Sequence, residues 1–80
     1  MIRLTLLTRA GCRLCDEMKT VVEEVGRNRG LTLTEVDVST QPELEARWGT
    51  EIPVLLCGER EIARHRVSVG QLTAAISQRC

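Results

Sequence analysis

Ile2, Leu4 and Leu6 alternate with Arg3 and Thr5, a period of two that predicts a strand ending near Thr8. Arg9-Ala10-Gly11 reads as a turn. Leu14, Met18, Val21, Val22 and Val25 then recur at helical spacing, with Asp16, Glu17, Lys19, Glu23 and Glu24 between them. That pattern predicts an amphipathic helix from about Cys12 to Arg29, with Gly30 as its stop. Alternation returns from Leu31 to Val38 and predicts a second strand. Thr40 and Glu43 match a capping box with Pro42 in the first turn, so a short helix is expected before Gly49. Ile52-Pro53-Val54-Leu55-Leu56-Cys57 reads as a third strand that opens on proline, where proline is tolerated. Gly58-Glu59-Arg60 is a hairpin turn, and Glu61 to Val67 returns as a fourth strand. Ser68 and Gln71 form a second capping box ahead of Leu72, Ala75, Ile76 and Arg79, which continue as a final helix.

The predicted order is β-α-β-α-β-β-α. A right-handed crossover makes the first two strands parallel, and the last two form an antiparallel hairpin. The expected fold class is α/β, a four-stranded mixed sheet with helices on both faces. Eighty residues give room for one domain, residues 1–80, and no second core.

Composition narrows the function classes. Eleven basic residues balance eleven acidic ones, which gives no electrostatic reason to expect nucleic acid or an anionic membrane. The lone aromatic residue, Trp48, provides no base-stacking surface. The longest apolar run, Val54 to Cys57, is far too short to span a bilayer. The amino-terminal stretch alternates where an export signal would carry an unbroken apolar core. The expectations are a cytoplasmic location and a monomer.

The chemistry lies in four cysteines, Cys12, Cys15, Cys57 and Cys80. A Cys-x-x-Cys pair in such a chain is redox-active or metal-binding. Its position is informative, because Cys12 follows a strand and a glycine turn and opens a helix. The unpaired N–H groups there carry partial positive charge and stabilise a thiolate, lowering the thiol pKa below about 8.5. Arg9 and Arg13 add to this effect, and Asp16 and Glu17 oppose it. Cys15, one turn on, lies within disulfide reach. The expected roles are Cys12 as attacking thiolate and Cys15 as the buried resolving thiol. Two alternatives stand beside this reading: a zinc or iron–sulfur module with Cys12 and Cys15 as ligands, and a non-catalytic adaptor.

Thr8-Arg9-Ala10-Gly11-Cys12-Arg13-Leu14-Cys15 after the first strand, Glu51-Ile52-Pro53-Val54-Leu55 entering the third, and the element order together resemble a glutaredoxin of the thioredoxin-like superfamily. The resemblance covers nearly the whole chain and is nearest to the short bacterial glutaredoxin-like proteins. It implies a thioredoxin-like fold and a dithiol–disulfide oxidoreductase acting on protein disulfides or glutathione mixed disulfides. It also implies that Pro53 is cis beside the cysteine pair, with the backbone of Ile52 turned toward the bound peptide or glutathione. Arg9 stands where glutaredoxins often carry a lysine that meets a glutathione carboxylate. Arg9, Arg13, Ile52 and Pro53 are therefore the expected substrate-binding residues. No bound cofactor is expected, and glutathione or a thioredoxin-type reductase supplies electrons. The chain departs from the family in placing Arg13-Leu14 between the cysteines. It also carries Val67-Ser68-Val69-Gly70-Gln71 where a Gly-Gly pair and an acid usually hold glutathione.

The remaining candidates have plainer readings. Cys57 is expected to face the core as a small hydrophobe, the alternative being a regulatory thiol. Cys80 is expected to be exposed and open to incidental oxidation or an intermolecular disulfide. His65 reads as a solvent-facing strand residue, Arg64 and Arg66 as a solvated strand face, and Trp48 as a cover over the end of the core, with substrate contact as its alternative.

Overall fold

The structure is a computed structural model that describes residues 2–80. Strand β1 (Ile2–Thr8) leads into helix α1 (Arg13–Gly26), strand β2 (Leu31–Asp37), a 3-10 turn (Val38–Thr40) and helix α2 (Pro42–Trp48). Strands β3 (Val54–Cys57) and β4 (Arg60–Arg64) and helix α3 (Val69–Arg79) complete it. The sheet runs β2-β1-β3-β4. β1 and β2 are parallel, with Ile2 opposite Leu31 and Thr8 opposite Asp37. β3 runs antiparallel to β1, Leu4 facing Cys57 and Leu7 facing Val54, and antiparallel to β4.

Alternation along the strands sorts the core onto two faces. Leu4, Leu6, Leu55 and Ile62 pack with Met18, Val22 and Val25 of α1 and with Leu72 and Ile76 of α3. On the other face Leu7, Val38 and Val54 are covered by Leu44 and Trp48 of α2, with Ile52 and Leu56 alongside. Among the described residues no polar or charged residue is buried. Both clusters are aliphatic apart from Trp48, Met18 and Cys57, so folding rests on apolar burial with no internal polar network.

Several boundaries differ from the pattern-based expectation. Helix α1 ends at Gly26 instead of running to Arg29. Val25 is its last core contact, and Arg27, Asn28, Arg29 and Gly30 are all exposed. The Thr40–Glu43 capping box does not form. Gln41 is the N-cap of α2 and makes no side-chain cap bond. Asp37 governs this corner instead: its carboxylate accepts from the Ser39 N–H at 2.9 Å and the Ser39 hydroxyl at 2.6 Å, and its carbonyl accepts from the Thr40 hydroxyl at 2.8 Å. The two Ser39 hydrogen bonds hold the Asp37 carboxyl below the usual carboxylate range. The Ser68–Gln71 capping box does form, with both reciprocal bonds present.

β4 spans Arg60–Arg64 instead of Glu61 to Val67. His65 lies outside the strand with a φ of 63°, a region that residues with side chains rarely adopt. Its N–H donates to the Pro53 carbonyl at 2.8 Å, which turns the chain away from the sheet. Arg64 is no free solvated charge. Its Nε and Nη2 donate to the Glu61 carboxylate at 2.5 and 2.6 Å, and its Nη1 donates to Glu51 at 2.9 Å.

That pairing sets a pH dependence. The Arg64 hydrogen bond holds the Glu61 carboxyl below its usual range, against a smaller opposing effect of burial. A carboxylate whose folded pKa is depressed stabilises the fold above its unfolded value of about 4.3, and this contribution is lost as pH falls through the lower folded value. Glu61→Gln is therefore expected to lower the urea midpoint modestly at pH 7. The gap to the wild type should close as the pH falls below about 4. Urea titrations at the two pH values check this, and a gap that persists unchanged in acid would remove Glu61 as its source.

Candidate active site

The end of β1 and the start of β3 lie at the same end of the sheet. Leu7 pairs with Val54, so the loop leaving Thr8 and the segment entering β3 are neighbours. The loop closes with the Cys12 N–H donating to the Arg9 carbonyl at 3.2 Å. Gly11 adopts a φ of 77°, which glycine reaches without a steric penalty. Cys12 is then the N-cap of α1, in extended conformation.

In place of the usual serine or aspartate oxygen, the Cys12 Sγ accepts the Cys15 N–H at 3.1 Å. The sulfur therefore sits on the unpaired N–H groups and positive end of the helix. Cys12 and Cys15 are joined as a disulfide, their Cα atoms 5.2 Å apart. Cys15 is 2% exposed and Cys12 is half-buried. An incoming group therefore reaches Cys12, while Cys15 is shielded by the core of the α1 face.

The Ile52–Pro53 peptide bond is cis, as the resemblance implies, and Pro53 is buried. Its carbonyl is engaged by His65. Ile52 makes no backbone hydrogen bond among the described residues.

The two arginines are placed differently. Arg13 is almost fully exposed, its Nε 3.7 Å from Glu17. Arg9 turns away from the cysteines toward α2. Its Nη2 donates to both Glu45 carboxylate oxygens, at 2.7 and 2.9 Å, and to the Gly49 carbonyl at 3.1 Å. Its charge is thus matched by Glu45, and it ties the cysteine loop to the helix beneath.

The sequence pattern does not announce one feature. A groove of about 270 Å³ runs beside Leu14 and is lined by Glu17, Met18, His65, Arg66, Val67 and Gln71. It exists because the chain leaves β4 at Arg64, turns at His65 and crosses the end of α1. The one trace of it in the sequence is the weakening of alternation after Arg64.

Cys57 and Cys80 correct another expectation. Taken singly, they read as a core thiol and an exposed terminal thiol. The structure joins them in a second disulfide with Cα atoms 5.8 Å apart. Cys57 does face the α1/α3 core, as expected of it. On that face α3 ends at the same strand terminus and delivers Cys80 to it. Reading each cysteine by its own element conceals the pairing.

Residues 3–77 match the family model of the glutaredoxin-like domain (DUF836). The uncharacterized protein Rv0508 of Mycobacterium tuberculosis is 31% identical over 81 residues, a match covering 95% of this chain and 84% of that one. The X-ray structure of XcR50 from X. campestris superposes with a TM-score of 0.79 at 27% identity, covering 92% of this chain and 95% of that one. The glutaredoxin-like NrdH-redoxin of Escherichia coli shares the fold at a TM-score of 0.59 and 19% identity, covering 99% and 97% of the two chains. With the sheet order, the helix-capping cysteine and the cis-proline all in place, the chain belongs to the glutaredoxin-like domain family and has the thioredoxin fold.

Proposed function

We propose that the protein is a dithiol–disulfide oxidoreductase that reduces protein disulfides or glutathione mixed disulfides and so contributes to redox homeostasis in the cytoplasm. The observation that carries this reading is the Cys12 sulfur capping α1, with Cys15 within disulfide reach and shielded behind it.

The cycle derives from these positions. In the reduced protein the Cys12 thiolate attacks one sulfur of a substrate disulfide. A mixed disulfide forms and the other substrate sulfur leaves as a thiolate. Cys15, after losing its proton, attacks Cys12 Sγ and releases the second substrate thiolate. The pair is then oxidised, and two electrons from glutathione or a thioredoxin-type reductase restore it. The Ile52 backbone holds the substrate in extended form, and the groove beside Leu14 receives the substrate residues next to the reacting sulfur. Arg13, exposed and only distantly paired with Glu17, can turn to a substrate carboxylate. Arg9 first has to exchange Glu45 for such a carboxylate. Helix α1 is therefore the main source of thiolate stabilisation at Cys12, opposed by Asp16 in its first turn.

Alkylation of the reduced protein as a function of pH, read at each cysteine by mass spectrometry, tests this. Cys12 is expected to react with a midpoint well below about 8.5 while Cys15 stays unreactive. A midpoint at the ordinary thiol value, or equal reactivity at both sulfurs, would overturn the assignment. Among the described residues no group of three or more His, Cys, Asp or Glu side chains is placed to hold a metal ion.

A further inference from the structure

The Cys57–Cys80 pair lies at the opposite end of the central strands from Cys12 and Cys15. Val54 begins β3 beside the active end, and Cys57 closes it opposite Leu4. At about 3.3 Å per residue, Cys57 stands roughly 10 Å further along the strand than Val54. Cys57 is half-buried and packs against the α1/α3 core, whereas Cys80 is exposed. Both line an open groove of about 620 Å³ with Gly58, Glu59, Arg60 and Arg79. Arg60 is the cross-strand neighbour of Cys57. Arg79 reaches the Glu61 carbonyl at 3.3 Å, a second link between the end of α3 and β4.

We propose that Cys57 and Cys80 form a second dithiol–disulfide couple, opened by small carboxylate-bearing thiols that attack Cys80 and leave Cys57 as the resolving thiol. Two observations give the direction of attack. Cys80 is the exposed sulfur. Cys57 is half-buried and packs against the α1/α3 core. An incoming thiolate therefore meets Cys80, Cys57 departs as the leaving thiolate, and Cys80 keeps the incoming group. The guanidinium groups of Arg60 and Arg79 line the groove and can pair with the carboxylate of an anionic thiol.

The step balances. A small thiolate forms a bond to Cys80 Sγ, the Cys57–Cys80 bond breaks, and its electron pair stays on Cys57 as thiolate. A second small thiolate attacks the outer sulfur of the mixed disulfide, releases Cys80 as thiolate and leaves as the small-molecule disulfide. Each protein thiolate then takes a proton from water. The small thiol is oxidised and the couple is reduced by two electrons. Before the second attack, Cys57 can strike Cys80 Sγ and reclose the bond. This couple does not depend on the redox role assigned to Cys12 and Cys15.

The test uses the oxidised full chain and glutathione. After brief exposure, free thiols are trapped by a fast alkylating agent, and each cysteine is read by peptide mass spectrometry. The expected species carries glutathione on Cys80 and the alkyl group on Cys57, in at least about tenfold excess over the reverse. The same pattern is expected in a Cys12→Ser/Cys15→Ser variant, which separates this result from any failure of the primary site. The proposal is overturned if glutathione sits mainly on Cys57, or if no linked Cys57–Cys80 peptide is found after oxidation. A bond that stays closed in excess glutathione under native conditions would equally show a purely structural crosslink.

Discussion

Cys12→Ser is expected to reduce disulfide exchange by at least about 100-fold, to the level of the reductant alone, because the group lost is the one that forms the bond to substrate. The substitution is well suited to a clean reading. Serine is itself a strong N-cap, so its hydroxyl can accept the Cys15 N–H that the Cys12 sulfur now accepts. Helix α1 therefore keeps its start, and Cys12 contributes to neither core cluster. Turnover of insulin disulfides with glutathione or dithiothreitol as reductant measures the loss, and an unchanged far-UV spectrum shows that the fold is intact. Cys15→Ser should separate the two half-reactions: the first attack persists and the mixed disulfide on Cys12 accumulates. Unchanged turnover in Cys12→Ser would remove this cysteine from the chemistry altogether.

Loss of the second disulfide is expected to act on stability instead. Cys57 and Cys80 are 23 residues apart in sequence. A crosslink closing a loop of that size is worth about 3 kcal/mol through the restricted unfolded chain. In a domain of this length that corresponds to a fall in Tm on the order of 10–20 °C. A Cys57→Ser/Cys80→Ser variant compared with the oxidised wild type by thermal unfolding should show this drop. Under strong reductant the two should nearly coincide, since neither then carries the crosslink. Opening the Cys12–Cys15 bond, with a separation of three residues, constrains the unfolded chain much less. A variant as stable as the oxidised wild type would mean that the bond adds nothing beyond the packing of α3.

Elements set by a local period are legible in the sequence. Ile2, Leu4 and Leu6 announce β1, and Met18, Val22 and Val25 announce the buried face of α1. Cys12 can be placed at a helix start because a strand and a glycine turn precede it. Features set by tertiary partners are not legible. The Thr40–Glu43 box is outcompeted by Asp37, whose carbonyl takes the Thr40 hydroxyl while its carboxylate takes Ser39. The family resemblance turns Arg9 toward the substrate, yet Glu45, 36 residues away, holds it against α2. The bend at His65 depends on the Pro53 carbonyl, and the Cys57–Cys80 bond depends on α3 ending beside β3. For Arg9, His65 and Cys57 the deciding partner is remote in sequence, and residue type alone does not name it.

The placement of Trp48 has an optical consequence. It is the only aromatic residue in the chain, and it packs on the α2 face with Arg47 and Arg64 4.8 and 5.9 Å from its ring centre. All intrinsic fluorescence therefore comes from one indole, and that indole belongs to the cluster on the face away from α1 and α3. An unfolding curve followed by emission reports the α2 side alone, whereas far-UV ellipticity is dominated by α1 and α3. Coincidence of the two curves would show that the faces of this sheet unfold together. If they separate, the two faces melt independently and the order of the transitions shows which goes first.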